Sequence, residues 1–153
     1  MAEGADGAEV DDSLDSSNAG IWYVAVDGWT GDLAEAEYAR IAAAIAVLNS
    51  QLAPLGTSLV EVSGDNADLA TIHIHIADTS VIGGREAGVL GVTVFNEITL
   101  ISDWDYYLGD DELAIADGQF DFETVVMHEL GHSLGLGHST GQPSVMYPYL
   151  APG

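Results

Sequence analysis

The sequence predicts a single α/β domain, and three observations predict it. Segments of strand character and two helical periodicities follow one another in the order strand, helix, four strands, helix. Apolar residues make up 48% of the chain at a mean hydropathy of +0.20. A length of 153 residues supplies one substantial core and is short for two ordinary domains.

Residues 1–20, MAEGADGAEVDDSLDSSNAG, carry only two large aliphatic side chains among Asp, Glu, Gly, Ser and Ala. So little apolar surface does not offset the entropy of ordering, and the segment reads as a flexible acidic tail ahead of a domain spanning 21–153. The first strand is IWYVAV at 21–26, broken by GWTGD. A helix follows over about 32–52: Asp32 and Glu35 form a capping-box-like start, and Tyr38, Ile41, Ile45, Leu48 and Leu52 recur at spacings of 3, 4, 3 and 4. Pro54 and Gly56 end it.

Four more strands are predicted at about 58–62, 70–77, 89–95 and 97–102, separated by Gly and Asp clusters. In the second of these, TIHIHIA, Ile72, Ile74 and Ile76 fall on one face and Thr71, His73 and His75 on the other, so one face is core and the other polar. A loop rich in Asp and Gly, 103–121, leads into a second helix over about 122–136.

Composition narrows the function. Twenty-five acidic residues oppose two arginines, Arg40 and Arg85, for a net charge of −23. Nucleic acid and anionic membrane are therefore excluded as partners. With no cysteine, a metal must be held by histidine and carboxylate. The longest apolar run, 41–48, falls far short of the ~20 residues that span a bilayer. The first twenty residues lack the basic start of a signal peptide.

The chemistry concentrates in HELGHSLGLGH, residues 128–138. His128 and His132, four apart on a helix, project from one face and can reach one ion. Glu129 stands about 100° round the helix, beside the ligand row and outside it. Gly135 sits where the helix must stop, since glycine takes the left-handed conformation that turns the chain back and lets His138 approach from another side. Three neutral histidines leave a tetrahedral zinc one open position, the pattern of a catalytic site. Glu129 is then the carboxylate that takes a proton from water as it attacks an amide carbonyl.

This segment, followed by Ser144, Val145, Met146, Tyr147 and Pro148, resembles a metzincin metallopeptidase, with HExxHxxGxxH and a Met-turn, and is most similar to the matrixin-like families. The resemblance implies His128, His132 and His138 as zinc ligands, Glu129 as general base and Met146 beneath the metal. Pro148 stands where astacin-like and serralysin-like metzincins carry tyrosine, and neither Tyr147 nor Tyr149 is assigned as a ligand. The implied fold is zincin-like: a twisted, mostly parallel five-stranded sheet with one antiparallel edge strand, a backing helix and an active-site helix. Substrate in such enzymes lies extended along the edge strand, for which 89–95, VLGVTVF, is the candidate.

Departures from the family pattern also carry information. Val92 and Thr99 stand where strand histidines for a structural zinc would align, so one zinc is expected per chain. His73 and His75 read as a solvent-facing pair, with a different metal site as the alternative. Asp103, Asp105, Asp110, Asp111, Glu112, Asp117 and Asp121 offer oxygen ligands for calcium or form a solvated loop, without EF-hand spacing. The chain lacks the pro-segment cysteine of matrixins and ends at Gly153 before their usual C-terminal helix, as a mature form or excised core would. The leading expectation is a monomeric zinc endopeptidase acting on polypeptide outside the cell or at its surface, with export supplied by sequence beyond this chain. The alternative is a zinc-containing, peptide-binding module of the same fold without turnover.

Overall fold

The computed structural model describes residues 2–3, 20–27, 35–62, 68–102, 104–137 and 149–150. Its elements are β1 (Ala2–Glu3), β2 (Gly20–Asp27), α1 (Glu35–Leu52), β3 (Thr57–Val62), β4 (Ile72–Ala77), β5 (Gly91–Val94), β6 (Glu97–Ile101), β7 (Tyr106–Tyr107), β8 (Phe120–Asp121), α2 (Phe122–Ser133) and β9 (Tyr149–Leu150). Five strands form the central sheet in the order β3-β2-β4-β6-β5. All neighbours are parallel except β5, which runs antiparallel to β6 at one edge. The α/β class, the five strands and the antiparallel edge strand are those the sequence predicts.

The alternation in β4 produces the layering. Ile72 and Ile74 are fully buried, and their register partners Val24 on β2 and Ile98 on β6 continue the same apolar surface. Ile41, Ala44, Ile45, Leu48 and Leu52 of α1 and Phe122, Val125, Val126 and Leu130 of α2 close over it in one core. Each large aliphatic side chain so buried contributes about 1.5–3 kcal/mol of transfer free energy. Tyr38, the first residue of the helical row, is instead exposed, because the row begins beyond the edge of the core. The proposed cap at Asp32 and the segment 4–19 lie outside the described residues. Ala2 and Glu3 pair antiparallel with Leu150 and Tyr149.

α1 packs on the β3 side of the sheet and α2 on the β5–β6 side, and the helices touch each other. Arg40 Nη1 reaches Glu123 Oε2 at 3.6 Å across that contact. Asn49 of α1 receives the Leu59 N–H at Oδ1 (2.7 Å) and donates Nδ2 to the Leu59 carbonyl (2.9 Å), which covers part of the β3 edge. The opposite edge belongs to β5. The β5–β6 hairpin turns at Phe95, a residue 90% exposed at φ +56°.

Aromatic side chains tie the acidic loop to the core. Trp104 Nε1 donates to the Val89 carbonyl at 2.7 Å, and Tyr106 Oη to the Ile101 carbonyl at 2.6 Å. Trp104 meets Phe120 edge to face and Tyr106 meets Phe122 likewise, each pair 5.1 Å between centroids. Four aromatic side chains thus fasten the loop to the core and to the start of α2. Two of the acids accept from the backbone: Asp111 from Leu113 N, and Asp121 from Thr124 N, with Thr124 Oγ1 donating to Asp121 as well. Burial, then the charges of Glu37 and Glu129, pushes the Tyr106 hydroxyl pKa well above its ordinary value.

Candidate metal centre

α2 begins where the Asp121 side chain caps it and ends three residues before the predicted limit of 136. The stop is a Schellman turn: Leu136 N donates to the Gly131 carbonyl and Gly135 N to the His132 carbonyl, both at 3.0 Å, with Gly135 at φ +99°. Gly135 therefore ends the helix as its position predicts. A side chain there would be strained by that φ.

On this helix His128, Glu129 and His132 are all buried, Glu129 completely. His128 Nε2 and His132 Nε2 lie 2.9 Å apart with their ring planes nearly perpendicular. Two imidazole nitrogens on a tetrahedral zinc at 2.0–2.1 Å would be separated by about 3.3 Å, so the pair fits one ion with a shift of a few tenths of an ångström. His132 Nδ1 lies 2.7 Å from the Leu136 carbonyl. A carbonyl only accepts, so Nδ1 carries the proton and Nε2 presents a lone pair toward His128. The turn at Gly135 thereby sets the tautomer of His132 as well as the direction of the chain.

Glu129 points away from the histidine row toward β5. Register explains why that strand receives it: Thr93 lies opposite Ile98 and Gly91 opposite Leu100, so both face the helices. Thr93 Oγ1 is 2.6 Å from Glu129 Oε2 and 3.1 Å from the Glu129 carbonyl oxygen. A Cβ on Gly91 would come within 3.1 Å of both Glu129 Cγ and Oε1, so glycine makes room for the carboxylate. Neither residue was singled out from sequence. The available signal was a hydroxyl and a glycine two apart, on one face of an otherwise apolar strand.

His138 and Met146, Tyr147 and Pro148 lie outside the described residues. His73 and His75 stand on the β4 face away from the helices, rings stacked 6.3 Å apart, with His75 Nε2 against Glu97 Oε2 of β6. They are half-buried and lie apart from the α2 pair. Among the described residues, no group of three His, Asp or Glu side chains is arranged to hold a metal ion, in the acidic loop or elsewhere. No described helix is long and apolar enough to cross a membrane.

A mixed sheet with an antiparallel edge, backed by a helix that carries paired histidines and a glutamate, defines a zincin-like α/β protein. Comparison with known proteins narrows the class. The family model of the matrixins, the M10 peptidases, matches residues 24–153, and the chain belongs to that family. Among its relatives, metalloendoproteinase 1-MMP of Arabidopsis thaliana is 45% identical over 47 residues, 31% of this chain and 13% of the relative. Metalloendoproteinase 1 of Glycine max is 46% identical over 44 residues, 29% of this chain and 14% of the relative. Matrilysin of Rattus norvegicus is 54% identical over 46 residues, 30% and 16% of the two chains. The matched stretches thus span well under a fifth of these relatives.

Proposed function

We propose that the chain is a zinc-dependent endopeptidase in which His128, His132 and His138 hold the metal and Glu129 is the general base. One observation carries the reading: the two Nε2 atoms of α2 converge at 2.9 Å while the neighbouring carboxylate is buried against the edge strand. Matrixins are zinc metallopeptidases, and the metalloendoproteinase relatives support the same activity here.

When bound, zinc supplies a Lewis acid that polarises the scissile carbonyl and lowers the pKa of an attacking water. The chain's own residues do the rest. The Leu136 carbonyl holds His132 in the tautomer that binds metal. Glu129 takes a proton from the water as its oxygen bonds to the carbonyl carbon. It returns that proton to the amide nitrogen as the C–N bond breaks, and the new carboxylic acid gives up its own proton to the amine, so the products are a carboxylate and an ammonium. An extended polypeptide lies along β5 and exchanges main-chain hydrogen bonds with it, which demands little of substrate sequence. Met146 underlies the metal in this reading, the acidic loop offers oxygen ligands to calcium, and the site of action is outside the cell or at its surface.

Cleavage of a fluorogenic peptide pool, with and without a chelator, tests the proposal. Metal-dependent cleavage restored by zinc is the expected result. Zinc binding with no cleavage of any peptide would leave the binding module in its place.

A further inference from the structure

The position of Glu129 depends on a strand it does not belong to. Its carboxyl group is completely buried, and the hydroxyl of Thr93 on β5 meets Oε2 at 2.6 Å, a short hydrogen bond. Thr93 is itself completely buried in a strand with no other polar side chain: Val92 and Val94 flank it and Ile98 pairs with it. Valine would fill the same space, keep the β-branch a strand favours and carry no hydroxyl to desolvate. A threonine here serves the strand no better than valine would, and its hydroxyl is directed at one group, Glu129.

We propose that Thr93 is a positioning residue for the general base, an inference that rests on the peptidase reading. The hydroxyl holds Oε2 from the β5 side, and Gly91, two residues earlier on the same face, leaves the space in which the carboxylate lies. Together they fix the side-chain rotamer of a residue that the helix alone would leave free to swing. The hydroxyl also suits both states of a base in turnover. It donates to the carboxylate, and once that oxygen carries a proton it accepts from it and turns its own proton to the Glu129 carbonyl 3.1 Å away. Because β5 is also the strand along which substrate lies, one element would set both the peptide and the base that acts on it.

The test compares Thr93→Val, Thr93→Ser and the unmodified chain, all zinc-loaded, for kcat, KM and zinc content, using a single fluorogenic peptide that the unmodified chain cleaves. Thr93→Val is expected to lower kcat by about 10- to 100-fold, as misplacement of a general base does, with KM and zinc content unchanged. Thr93→Ser should recover most of that loss. A Thr93→Val chain that keeps kcat within about twofold, or a Thr93→Ser chain no better than Thr93→Val, overturns the proposal.

A thermal cycle gives a readout independent of turnover. Thr93→Val should lower Tm by about 4 °C or more when Glu129 is present, and by less than half as much in a Glu129→Ala background. Equal shifts in both backgrounds would mean that the hydroxyl does not hold the carboxylate. If the unmodified chain binds zinc and cleaves nothing, the peptidase reading falls on that result, and the thermal cycle still decides the Thr93–Glu129 contact.

Discussion

His132 Nδ1 lies 2.7 Å from the Leu136 carbonyl, across the turn that Gly135 makes at φ +99°. The same turn stops α2, gives His132 its tautomer and directs the chain toward 138.

Gly135→Ala places a Cβ where the backbone disfavours one, so it should destabilise the fold by about 1–2 kcal/mol. Zinc affinity should fall with it, since the carbonyl that orients His132 moves. Thermal melts with and without zinc check both effects, and unchanged values would show that the turn can be remade without glycine.

Glu129→Ala should keep zinc while peptide cleavage falls by about 10²- to 10⁴-fold, because only proton transfer is removed. His132→Ala should lose zinc and cleavage together. Elemental analysis and cleavage on the same preparations separate the two outcomes. The expected metal content is one zinc per chain, and a second equivalent lost on changing His73 and His75 would reveal a site on β4.

Asp121→Ala removes the cap of α2, where one carboxylate oxygen accepts from both Thr124 N and Oγ1. A loss of about 1 kcal/mol is expected from chemical denaturation.

Salt should stabilise the chain. A net charge of −23 repels itself, and added sodium chloride screens that repulsion within a Debye length of about 10 Å at 0.1 M. The melting temperature should rise from low to molar salt, and a flat profile would contradict the electrostatic argument.

Alkaline pH should act in the opposite sense. Burial raises the Tyr106 pKa in the fold, so the folded chain keeps a proton that the unfolded chain releases near pH 10. The stability from the neutral hydroxyl is complete below about pH 10 and declines as pH rises above it. Tyr106→Phe should lower stability at neutral pH by losing the bond to the Ile101 carbonyl, and should flatten the decline above pH 10.

Much of this was legible in the sequence because it is local. The alternation of TIHIHIA specifies a strand buried on one face, and the spacing of His128 and His132 puts both imidazoles on one side of a helix. Gly135 announces where that helix ends. Each signal follows from the periods of 2 and 3.6 residues and from the conformational freedom of glycine, none of which requires a distant partner. The register of β5 against β6 is another matter, since it depends on pairing between strands. It alone turns Thr93 and Gly91, rather than Val92, toward Glu129, and a one-residue slip would reverse that. The aromatic fastening of the loop by Trp104 and Tyr106 is likewise a set of contacts with Val89 ahead of β5, with β6 and with α2, hidden in a segment whose composition is that of a solvated acidic loop. Spacing along the chain determined which side chains could share a metal, and packing between elements decided what holds the base beside it.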